Sequence, residues 1–127
     1  MIAVDTSALM AIVLGESGGS ACIATLEIEP EILISAGTVA EALIVSARRN
    51  VKEEVRQIIE GLGFEVITVT YASARRVAQA YEQWSKGVNA AGLNFGDCFA
   101  YEVAKAHDCP LLYVGTGFAR TDIKSAL

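Results

Sequence analysis

Apolar residues in this chain fall into short runs divided by helical stripes. Ile2-Ala3-Val4 is a brief apolar run closed by Asp5, and it predicts a buried strand over residues 2 to 5. An apolar helix follows directly, from about Ser7 to Leu14, with Gly15, Gly18 and Gly19 as punctuation. A second helix is expected over 19 to 27. Glu27, Glu29 and Glu31 around Pro30 mark a solvated turn, and Ile32 to Ser35 is a second apolar strand. Residues 38 to 48 are apolar almost all round, which predicts a helix buried on most faces.

Farther along, the pattern turns amphipathic. Residues 51 to 62 align Val51, Val55, Ile58, Ile59 and Leu62 on one stripe. Asn50 and Glu53 resemble a capping box, and Gly61 and Gly63 mark the stop. Phe64 to Val69 alternates like a third strand. The helix over 72 to 86 carries Ala74, Val77, Ala78, Tyr81 and Trp84 inward. A glycine- and asparagine-rich loop spans 87 to 94, a helix runs from about 95 to 107, and Leu111 to Val114 is a fourth strand. Short apolar strands alternating with helices predict an α/β fold, a parallel sheet with helices on both faces. Sites in such sheets lie beyond the carboxyl ends of the strands. Asp5 falls at that end of the first strand, and Gly115 to Phe118 should lie near the same edge.

Composition narrows the reading. A chain of 127 residues predicts a single domain over 1–127 that folds without disulfides or structural metal. Its hydrophobic fraction of 53% excludes disorder as the main state. Fifteen acids against ten bases give a net charge of -5, which disfavours a general nucleic-acid coat. A local basic patch remains open at Arg48, Arg49, Lys52 and Arg56, or at Arg75-Arg76, although each taken singly is expected on a solvated helix face. Cys22, Cys98 and Cys109 are odd in number and lack metal-ligand spacing, so reduced thiols and a cytoplasmic setting are expected. The uncharged run from Thr6 to Gly15 is ten residues long, too short for a bilayer, and no basic leader precedes it. His107 lacks ligand partners and is placed at a helix end.

Three acids stand in apolar surroundings. Asp5 lies between Ile-Ala-Val and Thr-Ser-Ala-Leu-Met. Glu41 is the sole charge between Glu31 and Arg48. Asp97 sits in the first turn of the helix that starts near 95. Buried carboxylates are costly unless paired, and no base stands beside any of them in sequence. A shared divalent cation solves all three, and hard oxygen ligands suit Mg²⁺ or Mn²⁺. Each acid also has a structural explanation. Asp97 could favour a helix N-terminus, Glu41 could pair with a distant arginine, and Asp5 could bond the backbone of the next helix. Glu102 serves as a contrast: near Lys105, and about 140° round an ideal helix from Asp97, it reads as solvated surface.

Val4-Asp5-Thr6-Ser7-Ala8-Leu9, Thr38-Val39-Ala40-Glu41-Ala42 and Leu93-Asn94-Phe95-Gly96-Asp97-Cys98-Phe99-Ala100-Tyr101 resemble a PIN-domain ribonuclease of the VapC toxin type. The ending from Pro110 to Ile123 fits the same pattern, so the resemblance runs over essentially the whole chain. It implies a PIN-like three-layer sandwich with a sheet of four or five strands. It also implies a metal-dependent endoribonuclease, dimeric and held inactive by a cognate antitoxin. The metal-binding acids then fall on Asp5, Glu41 and Asp97, holding Mg²⁺ or Mn²⁺, with RNA as substrate. Ser7 matches a hydroxyl position that bonds a metal ligand, and Asn94 matches a position that fixes the loop carrying Asp97; a helix-capping role for Asn94 is equally open.

The chain departs from that pattern at one place. An acid usually precedes the phenylalanine after the last core strand, whereas Thr116 and Gly117 stand here. The nearest acid, Asp122, belongs to a Thr-Asp-Ile pattern. This predicts weaker metal binding and lower activity, and it motivates a rival: a weakened scaffold that binds RNA or antitoxin without efficient cleavage. An aspartate phosphotransferase is a further rival, but its usual second aspartate is replaced by Ser7. Neither phosphate-cradling glycine pattern is present.

Overall fold

Strand parity explains how most of so short a sheet is covered on both faces. In the computed structural model, which describes residues 1–127, four strands run parallel: β1 (Ile2–Val4), β2 (Ile32–Ser35), β3 (Glu65–Ile67) and β4 (Leu111–Leu112). Their order is β3-β2-β1-β4. Ser125 adds an isolated parallel bridge to Leu111, the rudiment of a fifth strand. Side chains alternate across the pleat. Ile2, Val4, Ile32, Ile34 and Leu112 face one layer, made by α1 (Thr6–Val13), α2 (Gly19–Ile28), α3 (Ala36–Arg48) and α4 (Lys52–Gly61). Ala3, Leu33 and Leu111 face the other, made by α5 (Tyr71–Trp84) and α6 (Phe95–Ala106). Each of the large aliphatic side chains at the sheet contributes about 1.5–3 kcal/mol by leaving water. The three-layer α/β sandwich matches the expectation from sequence.

The topology creates one crevice. The chain steps outward from β1 to β2 to β3, then returns past β1 to lay β4 on its other side. Between the carboxyl ends of β1 and β4 the direction of winding reverses, and that is where doubly wound sheets bind ligands. Asp5 follows β1 and Val114 follows β4 at this point.

Several local expectations are corrected. Asn50 does not cap α4: it adopts φ 58°, a left-handed conformation that asparagine tolerates, and it ends α3. Val51 precedes α4 instead, without a side-chain cap. The helix α3 is not buried on most faces. Only Thr38, Ala42 and Ser46 are fully buried, while Ala40, Ile44 and Ala47 lie exposed, because one side of α3 has no neighbouring element. Along α5 the buried line is Ser73, Val77 and Ala80, so Tyr81, Ala74 and Ala78 face solvent. Strand β3 is shorter than 64 to 69, as expected of an edge strand with one neighbour. Glu102 is buried rather than solvated, and its carboxylate accepts from Arg76 Nε at 2.9 Å. Lys105 pairs with Asp122 instead. His107 does cap the end of α6, and Cys22 and Cys98 are buried free thiols.

Candidate metal centre at the carboxyl edge of the sheet

Asp5 is placed by the strand that ends before it and the helix that begins after it. Its backbone N–H donates to Leu112 O of β4 at 3.0 Å. Its side chain caps α1: Oδ2 accepts the Ser7 N–H at 3.0 Å and the Ser7 hydroxyl at 2.6 Å. The capping role raised from sequence is therefore real, and it occupies one oxygen. The other, Oδ1, is fully buried and has no partner. A charged oxygen left bare in the interior is among the costliest arrangements a fold can hold. Burial drives the Asp5 carboxyl up to about 7, and the nearby charges of Asp97 and Glu41 push in the same direction.

Glu41 enters from α3. The Thr6 hydroxyl, next in sequence to Asp5, donates to Glu41 Oε1 at 2.6 Å. Its Oε2 lies so close over Gly96 that a Cβ there would collide with it. Gly96 is therefore a glycine because Glu41 needs that space. In this way α3 delivers its acid to the residue immediately before Asp97.

Asp97 stands in the first turn of α6. Asn94 Oδ1 accepts the Asp97 N–H at 2.9 Å, and Asp97 Oδ2 accepts the Asn94 N–H at 2.9 Å, a reciprocal capping box. Asn94 thus has the capping role held open from sequence, and the same bonds fix Asp97. Burial raises the Asp97 carboxyl, opposed by the Asn94 backbone bond.

Ser7 ties the crevice together. Its hydroxyl donates to Asp5 and accepts the Val114 N–H at 3.0 Å, so β1 and the segment after β4 share one side chain. Sequence reasoning did not find Thr6 or Gly96. A hydroxyl beside Asp5 and a glycine beside Asp97 were both readable as residues, but their joint service to Glu41 is a tertiary fact. No three acidic, histidine or cysteine side chains already close into a metal coordination shell. The donor set nevertheless fits a hard divalent cation: it is all oxygen, it includes a bare buried carboxylate oxygen, and no cation of the protein neutralises Asp5.

The surroundings divide by chemistry. Beside Glu41 a groove of about 430 Å³ is lined by Ile44, Arg48, Phe95 and Phe99 among others. A second, more apolar groove of about 410 Å³ lies on the far side of Phe95, against Val69, Val77 and Tyr81. Phe95 is 67% exposed and is held edge-on to Phe99 at 5.0 Å. Of the basic residues singled out from sequence, Arg56 is held by Glu53 and Glu60, and Arg76 by Glu102. Arg48, Arg49 and Lys52 are exposed and make no ion pair, and Arg48 borders the Glu41 groove.

The fold is a parallel three-layer α/β sandwich that carries three acids toward one edge, and a family model described as PIN domain matches residues 2–124. The chain is 37% identical to Ribonuclease VapC42 of Mycobacterium tuberculosis, over 97% of both chains. It is 40% identical to Ribonuclease VapC36 of the same organism, over 95% of this chain and 90% of that one. Among solved structures it is similar to VapC20 of Mycobacterium tuberculosis, described as a sarcin–ricin loop cleaving toxin (TM-score 0.76, 14% identity, 97% and 96% covered). A toxin–antitoxin complex from Klebsiella pneumoniae shares the fold as well (TM-score 0.72, 18% identity, 96% and 93% covered). This chain belongs to the PIN-domain family, among its VapC ribonucleases.

Proposed function

We propose that the chain is a metal-dependent endoribonuclease, the toxin of a toxin–antitoxin pair, with Asp5, Glu41 and Asp97 as its metal-holding acids. The observation that carries this reading is the bare, buried Asp5 Oδ1 beside two further acids at the switch point of the sheet. The identities to relatives named as ribonucleases support the same reading. A bound Mg²⁺ or Mn²⁺ supplies neutralisation of phosphodiester charge and a water of lowered pKa.

The rest is done by residues of this chain. Ser7 and Thr6 orient the carboxylates of Asp5 and Glu41 by donating to one oxygen of each, which leaves the other oxygen for the ion. The capping box at Asn94 holds Asp97 at the helix start. Arg48, two turns after Glu41 on α3 and lining the same groove, would take an RNA phosphate, with Arg49 and Lys52 extending the basic edge.

The partners of this reading are an RNA substrate, a cognate antitoxin and a second copy of the chain. The exposed apolar strip of Ala40, Ile44, Phe95 and Tyr81 supports a protein partner, because isolated monomers seldom leave such a strip uncovered. No helix is long and apolar enough to cross a membrane, and the expected setting is the cytoplasm.

The test is RNA cleavage by the wild type, Asp5→Asn and Asp97→Asn, with Mg²⁺, with Mn²⁺ and with chelator. Cleavage by the wild type alone, lost in chelator, is the expected result. RNA binding without cleavage, even at high Mn²⁺, would favour the weakened scaffold that the absence of an acid at Thr116 and Gly117 motivates.

A further inference from the structure

The segment after β4 touches both halves of the crevice. At its start, the Val114 N–H donates to Ser7 Oγ at 3.0 Å, and Ser7 donates to Asp5. Midway, a Cβ on Gly117 would lie 3.1 Å from the Ala91 carbonyl oxygen, and Phe118 is buried against the Tyr113 ring at 5.3 Å. The Arg120 guanidinium donates to Ala90 O at 3.0 Å, in the loop that leads into Asn94. At its end, Asp122 accepts from the Tyr101 hydroxyl at 2.6 Å and from Lys105 Nζ at 3.0 Å. Tyr101 lies one turn, and Lys105 two turns, beyond Asp97 on the same face of α6. Beyond Asp122 the chain closes on itself, with Leu111 N–H donating to Lys124 O at 2.8 Å. Residues 113 to 123 therefore form a closed loop whose contacts reach Ser7, the partner of Asp5, on one side, and on the other the loop before α6 and the later turns of that helix.

We propose that this loop is a strap that sets the position of Asp97 relative to Asp5, with Arg120 and Asp122 as positioning residues. The inference rests on the reading of Asp5 and Asp97 as metal-holding acids, and it adds the device that registers them. Neither anchor is needed to bury the core: Arg120 and Asp122 are exposed side chains. Both instead fasten elements that carry Asp97, one through the preceding loop and one through the helix itself. Arg120 suits its task because its rigid fork reaches a backbone carbonyl with little freedom left to lose. Tyr101 suits its own because its ring is buried and its hydroxyl arrives at Asp122 pre-oriented.

Amide exchange in the metal-free protein reads the strap directly. Arg120→Ala and Tyr101→Phe should each speed exchange of the Asp97 N–H about tenfold, while the Val55 N–H of α4, bonded to Val51 O, stays unchanged. Mn²⁺ affinity, titrated by the signal of the free ion, should fall about tenfold in both, the lower end for residues that orient metal ligands. Arg120→Lys keeps a donor for Ala90 O and should recover most of the loss. In an Asp97→Asn background, Arg120→Ala should weaken Mn²⁺ binding no further. Tyr101→Phe keeps the buried ring and decides the matter if Arg120→Ala fails to fold. Equal acceleration at Val55 and Asp97 means general loosening and overturns the proposal, as does unaltered exchange at Asp97. If Asp5→Asn and Asp97→Asn leave Mn²⁺ binding untouched, the metal reading fails, and the exchange data still judge the strap.

Discussion

Asp5→Asn should stabilise the metal-free protein while destroying its activity. The folded carboxyl is driven from 3.8 up to about 7, first by burial and then by Asp97 and Glu41. The unfolded carboxyl keeps its ordinary value. Between those two values the folded state holds a proton that the unfolded state has released. Stability therefore falls as pH rises through that window and levels off above about 7. At about 1.4 kcal/mol per unit, the accumulated cost at pH 8 is on the order of 4 kcal/mol. Asparagine carries no such proton. Its oxygen can still accept from Ser7, and its uncharged NH₂ takes the place of the bare Oδ1, which removes the repulsion from Asp97 and Glu41. Urea unfolding in chelator should show the two proteins nearly equal at pH 4 and the variant ahead at pH 8. Mn²⁺ at a hundred times its Kd should narrow the gap, since it adds about 2.7 kcal/mol to a protein that binds it and nothing to one that does not. A variant less stable than wild type at pH 8 in chelator, or a difference that ignores pH, would refute the reasoning.

Three other outcomes follow from the same geometry. Gly96→Ala places a methyl where Glu41 Oε2 now sits; the flexible Glu41 must move, so cleavage should fall about a hundredfold with less than about 1 kcal/mol change in stability by urea titration. Arg76→Ala strands Glu102, which is 6% exposed, and should cost about 1–3 kcal/mol, discounted because Arg76 is itself half-exposed; adding Glu102→Met should recover most of it. Gly117→Asp presses a Cβ to 3.1 Å from Ala91 O and should lower stability by about 1 kcal/mol. If the absent acid limits metal binding, the same variant should lower the Mg²⁺ concentration for half-maximal cleavage, and an unchanged concentration would count against that explanation.

The layers were legible because their causes are local. Strand runs such as Ile32–Ser35 and stripes such as Val55 and Ile59 declare which way they face by period alone. The three acids were legible for a related reason: a charge inside an apolar run is an anomaly that sequence displays. What escaped depends on neighbours distant in the chain. Glu102 read as surface because its partner, Arg76, stands twenty-six positions earlier on another helix. The helix α3 read as buried all round because nothing in its composition tells an interior face from an unpartnered one. Asn50 misled because asparagine serves both as an N-cap and as a left-handed terminator, and only the backbone distinguishes them. The role of Thr6 exists only once α3 meets α1, and that of Gly96 only once α3 meets the start of α6.

The crevice joins segments that lie far apart in the polypeptide. Val114, whose N–H steadies Asp5 through Ser7, lies 107 positions after that serine. Release of β4 from β1 would therefore free the serine that orients Asp5 while the pairing of β1, β2 and β3 persists.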